Sequence, residues 1–119
     1  MIERLDTLEP TLSVYQQINV DGLDALRSQG PVVLLDVRTE AEVSRGVIAG
    51  TRHIVLNELP ARAPELDAKA VTVVYCQSGG RSAQACEFLS GQGFGTLYNL
   101  QGGILGWLRA GRPLSQLGE

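Results

Sequence analysis

Apolar residues in this chain fall into short dense runs separated by stretches of helical spacing. Val32-Val33-Leu34-Leu35-Asp36-Val37 is almost continuously apolar and does not alternate, the pattern of a strand covered on both faces inside a parallel sheet. A β-branched run, Val71-Thr72-Val73-Val74-Tyr75, reads as a second inner strand. Gln17-Ile18-Asn19-Val20, Thr51-Arg52-His53-Ile54-Val55-Leu56 and Thr96-Leu97-Tyr98-Asn99-Leu100 are briefer strand candidates.

The segments between them read as helices. Asp21 is placed to N-cap a helix over 22–27, which Gly30-Pro31 closes. Thr39 is placed to cap a helix over 40–45, with Glu42 at the capping-box position and Gly46 as the stop. Residues 57–68 carry Pro60 and Pro64, so only short helical turns fit there. A helical pattern over 82–89 ends at Gly91 and Gly93, and Gly102-Gly103 opens a last helix over 104–110, stopped by Gly111 and Pro113. Near the start, Ile2, Leu5 and Leu8 share a helical face before Pro10 and suggest a packing arm or a dimer contact. Strands alternating with helices mean an α/β fold, with a parallel sheet and helices on both faces.

Length and composition narrow the picture. With 119 residues, 44% apolar and 19% charged, the chain is the size of one ordinary globular domain. A formal charge of −3 gives no electrostatic reason to bind nucleic acid or an anionic membrane. The N-terminus lacks a basic stretch followed by an apolar core, and no apolar run is long enough to span a bilayer, so a cytoplasmic protein is expected. Cys76 and Cys86 do not make a disulfide framework, and a single histidine leaves no cluster for a metal. No metal and no cofactor is called for.

Chemistry concentrates where the second inner strand ends. Cys76 follows Tyr75 directly, at the carboxyl end of a strand, where open parallel sheets place their sites. Gln77-Ser78-Gly79-Gly80 lets the backbone curl tightly, and inward-turned N–H groups there form an anion nest. Arg81 closes the nest with a cation, and the following helix turns its positive end toward the sulfur. No base sits in the loop, so the thiol pKa is expected to fall through the nest and the dipole, with help from Arg81. A free cysteine is otherwise a small core hydrophobe, but that reading has no use for the glycines and the arginine.

The run Cys76-Gln77-Ser78-Gly79-Gly80-Arg81-Ser82 resembles the active-site loop of single-domain rhodaneses, the thiosulfate sulfurtransferases. Leu35-Asp36-Val37-Arg38 followed by Glu42 resembles the family's Asp-x-Arg strand end. Leu100-Gln101-Gly102-Gly103-Ile104-Leu105-Gly106-Trp107 resembles its closing Leu-x-Gly-Gly-x-x-x-Trp. The resemblance implies a five-stranded parallel sheet flanked by helices, with a rhodanese domain over 18–110, an N-terminal extension over 1–17 and a tail over 111–119. It also implies that the Cys76 thiolate takes a sulfane sulfur from thiosulfate or a persulfide, and that a nucleophilic acceptor such as cyanide or a thiol removes it. The partners implied are a small-molecule sulfur donor and acceptor, with a sulfur-accepting protein as a further candidate.

In this reading the Gln77, Ser78, Gly79, Gly80, Arg81 and Ser82 segment binds substrate. The loop N–H groups and the Ser78 and Ser82 hydroxyls hold the anionic sulfur, and Arg81 orients the donor's oxyanion. Asp36 and Arg38 form an ion-pair scaffold beneath the loop, a catalytic role being the lesser reading. Two departures stand out. Many members carry His-Ile-Pro-Gly-Ala where this chain has Val47-Ile48-Ala49-Gly50-Thr51, and the residue after the cysteine, often basic in thiosulfate users, is the neutral Gln77, which favours a persulfide donor.

Other residues read blandly. Ser82, Ala85, Cys86 and Leu89 share one helical face toward the sheet, which makes Cys86 core before it is a resolving thiol. His53 is assigned no chemistry, and Trp107 and Tyr75 are read as packing. A cysteine-dependent phosphatase or arsenate reductase would also use a thiolate, an N–H cradle and an arginine, but its loop carries five residues between cysteine and arginine where this chain has four. A noncatalytic or sulfur-relay binding module is the third alternative.

Overall fold

The two most apolar runs lie side by side at the middle of the sheet. In the computed structural model, which describes residues 14–118, β2 (Val33–Asp36) and β4 (Thr72–Tyr75) pair in parallel, with Leu34 opposite Val73 and Leu35 opposite Val74. Around them stand β1 (Gln16–Ile18), β5 (Leu97–Leu100) and β3 (Thr51–His53), giving one five-stranded parallel sheet in the order β1-β5-β4-β2-β3. The proposed arm at Ile2, Leu5 and Leu8 lies outside the described residues. β1 begins at Gln16, inside the stretch set apart above as an N-terminal extension.

Alternation along the inner strands sends successive side chains to opposite faces, and both faces are covered. Leu35, Val74 and Cys76 pack against Ala85, Cys86 and Leu89 of α4 (Gly80–Gly91), with Leu59 of the short α3 (Leu59–Arg62) closing that side. Leu34, Val73 and Tyr75 pack against Val20 and Leu23 of α1 (Val20–Gln29) and against Ile104 and Trp107 of α5 (Gly103–Arg109). Truncating any one of these leucines costs about 2–5 kcal/mol, depending on how far the site collapses. The face of α4 read from helical spacing, Ser82, Ala85, Cys86 and Leu89, is the set that the helix buries.

Several boundaries differ from the expectation. Asn19, not Asp21, caps α1: it is extended, with φ −99° and ψ −176°, and its side chain accepts from the Gly22 N–H at 2.8 Å. The strand therefore stops at Ile18, and Asp21 lies in the first turn, where a carboxylate suits the helix dipole. The Thr51 strand is also shorter than expected, because the chain enters a 3₁₀ turn at Leu56–Glu58. At α2 (Glu40–Val43) the capping box forms as read, between Thr39 and Glu42, although the helix ends two residues early. Gly46, at φ +128°, then turns the chain beneath Leu114, and a Cβ there would meet Leu114 Cδ1 at 2.8 Å. Pro60 and Pro64 sit in the first turns of α3 and of a 3₁₀ turn at Ala63–Glu65, where their missing N–H is not needed.

Candidate active site

β4 is the central strand, and Cys76 is the residue that follows it, on the same face as Val74 and 1% exposed. Gly79 then takes φ +123°, a conformation that L side chains rarely adopt. This turn swings the Gly79 N–H back to the sulfur at 3.1 Å, and α4 begins at the next residue. Ser82, in the first turn of α4, brings its Oγ to 3.4 Å from Cys76 Sγ. Burial alone would push the thiol up. Hydrogen bonds from the Ser82 hydroxyl and from the N–H groups of Ser82, Gly79 and Ser78 outweigh it, so the thiol lies below its ordinary range. The arrangement favours sulfur as an anion.

The loop is braced from the far side by the start of α5. Ile104 and Leu105 donate their N–H groups to the carbonyls of Cys76 and Gln77 at 2.9 and 3.1 Å. That contact requires glycine at 103. The residue sits at φ +54°, and a Cβ there would land on the Cys76 carbonyl and 2.6 Å from that of Gln77. The closing Gly-Gly is thus the point where one backbone lies against the other.

Two ion pairs flank the loop. Arg81 Nη1 and Nη2 donate to the two carboxylate oxygens of Glu42 at 2.8 and 2.9 Å. Chiefly through this contact, Arg81 holds the Glu42 carboxyl down at about 2. Deeper, Asp36 and Arg38 are 0% and 3% exposed. Arg38 Nη2 lies 2.7 Å from Asp36 Oδ2 and also donates to the Gly46 carbonyl at 2.9 Å, while the guanidinium carbon Cζ sits 5.8 Å from the centre of the Tyr75 ring. Tyr75, read as packing, also accepts the Ile48 N–H and bonds to Thr51 Oγ1 through its hydroxyl.

Cys76, Gly79 and Ser82 therefore meet at the sulfur, and Ser78 adds its N–H. Gly80 opens α4 at the surface. Gln77 is half-buried and lines a cavity of about 160 Å³ with Arg38, Glu42, Arg45, Ile104 and Leu105. Cys86 is fully buried, and burial first, then the Glu87 charge, pushes its thiol up to about 12. His53 donates from Nε2 to the Arg38 carbonyl at 2.7 Å, and Trp107 donates from its ring N–H to Pro113 at 2.8 Å.

Two further participants were not read as site residues in the sequence. In the sequence Glu42 stands only as a capping residue and a motif position. Asn99, on β5, is 3% exposed and bonds to both Ser82 and Gly79. A polar residue in an inner strand, at the same parity as Leu97 and hence on the cysteine's face, is the signal that could have found it. Among the described residues no group of His, Cys, Asp or Glu is placed to hold a metal ion, and no helix is long and apolar enough to cross a membrane.

Comparison with known proteins agrees with this geometry. The family described as Rhodanese-like domain matches residues 19–110. A protein of Allochromatium vinosum named Sulfurtransferase is 42% identical over 83 residues, covering 70% of this chain and 78% of its own length. The thiosulfate sulfurtransferase GlpE of Ectopseudomonas mendocina is 34% identical over 96 residues, covering 81% of this chain and 87% of its own. The crystal structure of a rhodanese-related protein from Thermoplasma volcanium superposes with a TM-score of 0.74 at 34% identity, covering 85% of this chain and 98% of that one.

Proposed function

This chain belongs to the rhodanese-like domain family, and we propose that it is a sulfurtransferase whose Cys76 thiolate carries the sulfur as a persulfide between donor and acceptor. The sulfurtransferase class rests on the family and its similarly named relatives. The observation that carries the mechanism is the sulfur's surroundings: the Gly79 N–H at 3.1 Å, the Ser82 hydroxyl at 3.4 Å, and a thiol shifted downward. Such a site holds a thiolate and needs no base to generate it.

In the first half-reaction the Cys76 thiolate attacks the outer sulfur of the donor. A Cys76–S bond forms and the donor's S–S bond breaks. Its electron pair leaves on sulfite when the donor is thiosulfate, or on a thiolate when the donor is a persulfide. In the second, a nucleophile such as cyanide or a thiolate attacks that outer sulfur and the Cys76 thiolate is restored, which predicts ping-pong kinetics. The loop N–H groups and Ser82 hold the anion throughout. The Arg81–Glu42 pair leaves the mouth with no net cation from these two side chains. This pairing, with the neutral Gln77, favours a persulfide over thiosulfate as donor. The acceptor is a small thiol or a sulfur-accepting protein.

Intact-protein mass spectrometry tests the proposal. After incubation with thiosulfate or an organic persulfide the protein gains the mass of one sulfur atom, and cyanide removes it as thiocyanate. A Cys76→Ser variant that still takes up sulfur would overturn the assignment. Hydrolysis of an aryl phosphate without sulfur uptake would favour a phosphatase instead. Four residues between Cys76 and Arg81, and an arginine already engaged by a carboxylate, speak against that outcome.

A further inference from the structure

Beneath the cysteine loop lies a buried amide that the sulfur chemistry above does not use. Asn99 Nδ2 is 3.2 Å from the Gly79 carbonyl and 3.1 Å from Gln17 Oε1. A peptide carbonyl can only accept a hydrogen bond, so the Gly79 contact fixes which end of the Asn99 amide is nitrogen. Oδ1 then faces Ser82 Oγ, and since an amide oxygen cannot donate, the Ser82 hydroxyl gives its proton to Oδ1. That same hydroxyl lies 3.4 Å from Cys76 Sγ. One hydroxyl proton therefore has two acceptors within reach, one a neutral amide oxygen and the other a sulfur whose charge changes.

We infer that Asn99 is the positioning residue of the cysteine loop: its amide grips Gly79 and the Ser82 hydroxyl, two of the donors to the sulfur, and its Oδ1 takes up the Ser82 hydroxyl whenever the sulfur is uncharged. With neutral sulfur the hydroxyl points at Asn99. When the sulfur becomes a thiolate, the hydroxyl rotates and donates to it, without leaving its oxygen, because a charged acceptor is the stronger one. Through its other end Asn99 holds the Gly79 carbonyl, and with it the backbone turn at φ +123° that aims the Gly79 N–H at the sulfur. Gln17 satisfies the remaining amide proton, tying β1 to the site. The Gly79 N–H and the Ser82 hydroxyl are thus set from β5, a strand that contributes no group to the sulfur directly.

The inference rests on Cys76 being used as a thiolate, and its test needs no sulfur donor. Titration is followed by thiolate ultraviolet absorbance and by iodoacetamide alkylation rate against pH. Arg81 of α4, itself paired with Glu42 of α2, interacts with the sulfur through its charge, and both stay in place in the variants. Asn99→Ala leaves the Gly79 carbonyl with the Ala83 N–H alone and frees the Ser82 hydroxyl from its competing acceptor; the loosened Gly79 turn outweighs the freed hydroxyl, and the Cys76 midpoint rises by about one unit, a roughly tenfold loss of thiolate near neutral pH. Asn99→Asp raises it further, since a carboxylate keeps the Ser82 hydroxyl for itself and repels the thiolate. Folded variants that titrate like the wild type would overturn the inference.

If both variants fail to fold, NMR of the wild-type protein decides. The Asn99 side-chain amide and the Gly79 N–H should shift with the Cys76 midpoint, and signals static through that titration would reject the role. Sulfur uptake is scored separately: failure of uptake with the titration shifts intact would sink the proposed function and leave Asn99's role standing.

Discussion

Arg81 and Glu42, thirty-nine positions apart, meet fork to fork, with guanidinium nitrogens 2.8 and 2.9 Å from the two carboxylate oxygens. The cation that should close an anion cradle is thus neutralised from α2. Glu42 serves twice, since its Oε1 also accepts the Thr39 N–H in the capping box at 3.0 Å. The helix cap thereby fixes the carboxylate that restrains the arginine.

Replacing Glu42 by Gln separates the two duties, because glutamine also completes a capping box. Arg81 is then free to meet an anionic donor. We expect the KM for thiosulfate in E42Q to fall about five-fold, the worth of one partly exposed charge contact, with kcat little changed, as for an interaction made equally in ground and transition states. Steady-state kinetics at low and high salt check this, and the gain should shrink with salt.

The same pair sets an acid response. Glu42 titrates at about 2 in the fold against an ordinary 4.5. A depressed carboxyl contributes stability that is complete above the ordinary value and is lost as pH falls toward the folded one. The wild type should therefore lead E42Q in urea midpoint above pH 4.5, with the difference closing between 4.5 and about 2. Because the pair is partly exposed, the lead should be about 1 kcal/mol or less.

The two cysteines should separate chemically. Cys76 lies below the ordinary thiol value of 9.0, whereas Cys86 is pushed up to about 12. At about pH 8, iodoacetamide followed by peptide mapping should find Cys76 modified and Cys86 untouched until denaturant is added. For Cys86 the raised value means that the unfolded chain ionises first, so its contribution to stability fades as pH rises from 9.0 to about 12.

What could be read from the chain was what depends on neighbours in sequence. The apolar run at 32–37, the capping box at Thr39 and Glu42, and the buried face of α4 all follow local periodicity, and all form. The cap of α1 was misassigned between Asn19 and Asp21, two residues equally able to cap, because the choice turned on where β1 released the chain. Asn99 and the Arg81–Glu42 pair were invisible for another reason. Each is made by elements that the parallel order brings together from distant parts of the chain, and a buried asparagine has no periodic signature. Gly103 lies between these cases: its motif is legible in the chain, but its purpose depends on α5 lying against the Cys76 carbonyl, a contact between distant segments.

Asp36 and Arg38 offer a test of what sits beneath the loop. Arg38 is buried, with Asp36 and the Gly46 carbonyl as partners. Asp36→Ala should cost about 3–5 kcal/mol, because it strands a buried guanidinium. The double variant Asp36→Leu with Arg38→Met should cost less than Asp36→Ala alone, since no charge is left unpaired. Equilibrium denaturation of the three proteins checks the order.

Gly103→Ala should couple fold and site most directly. Its Cβ has no room between α5 and the carbonyls of Cys76 and Gln77, and φ +54° adds backbone strain. Either α5 backs away, losing the Ile104 and Leu105 hydrogen bonds, or the loop moves and the Gly79 N–H loses its aim. We expect a loss of about 3 kcal/mol in stability and a raised Cys76 pKa in whatever remains folded. Gly91→Ala, at the end of α4 with open space around it, should be neutral or slightly stabilising in the same assays. A Gly103→Ala protein as stable as the wild type, with an unshifted thiol, would mean that α5 does not brace the loop.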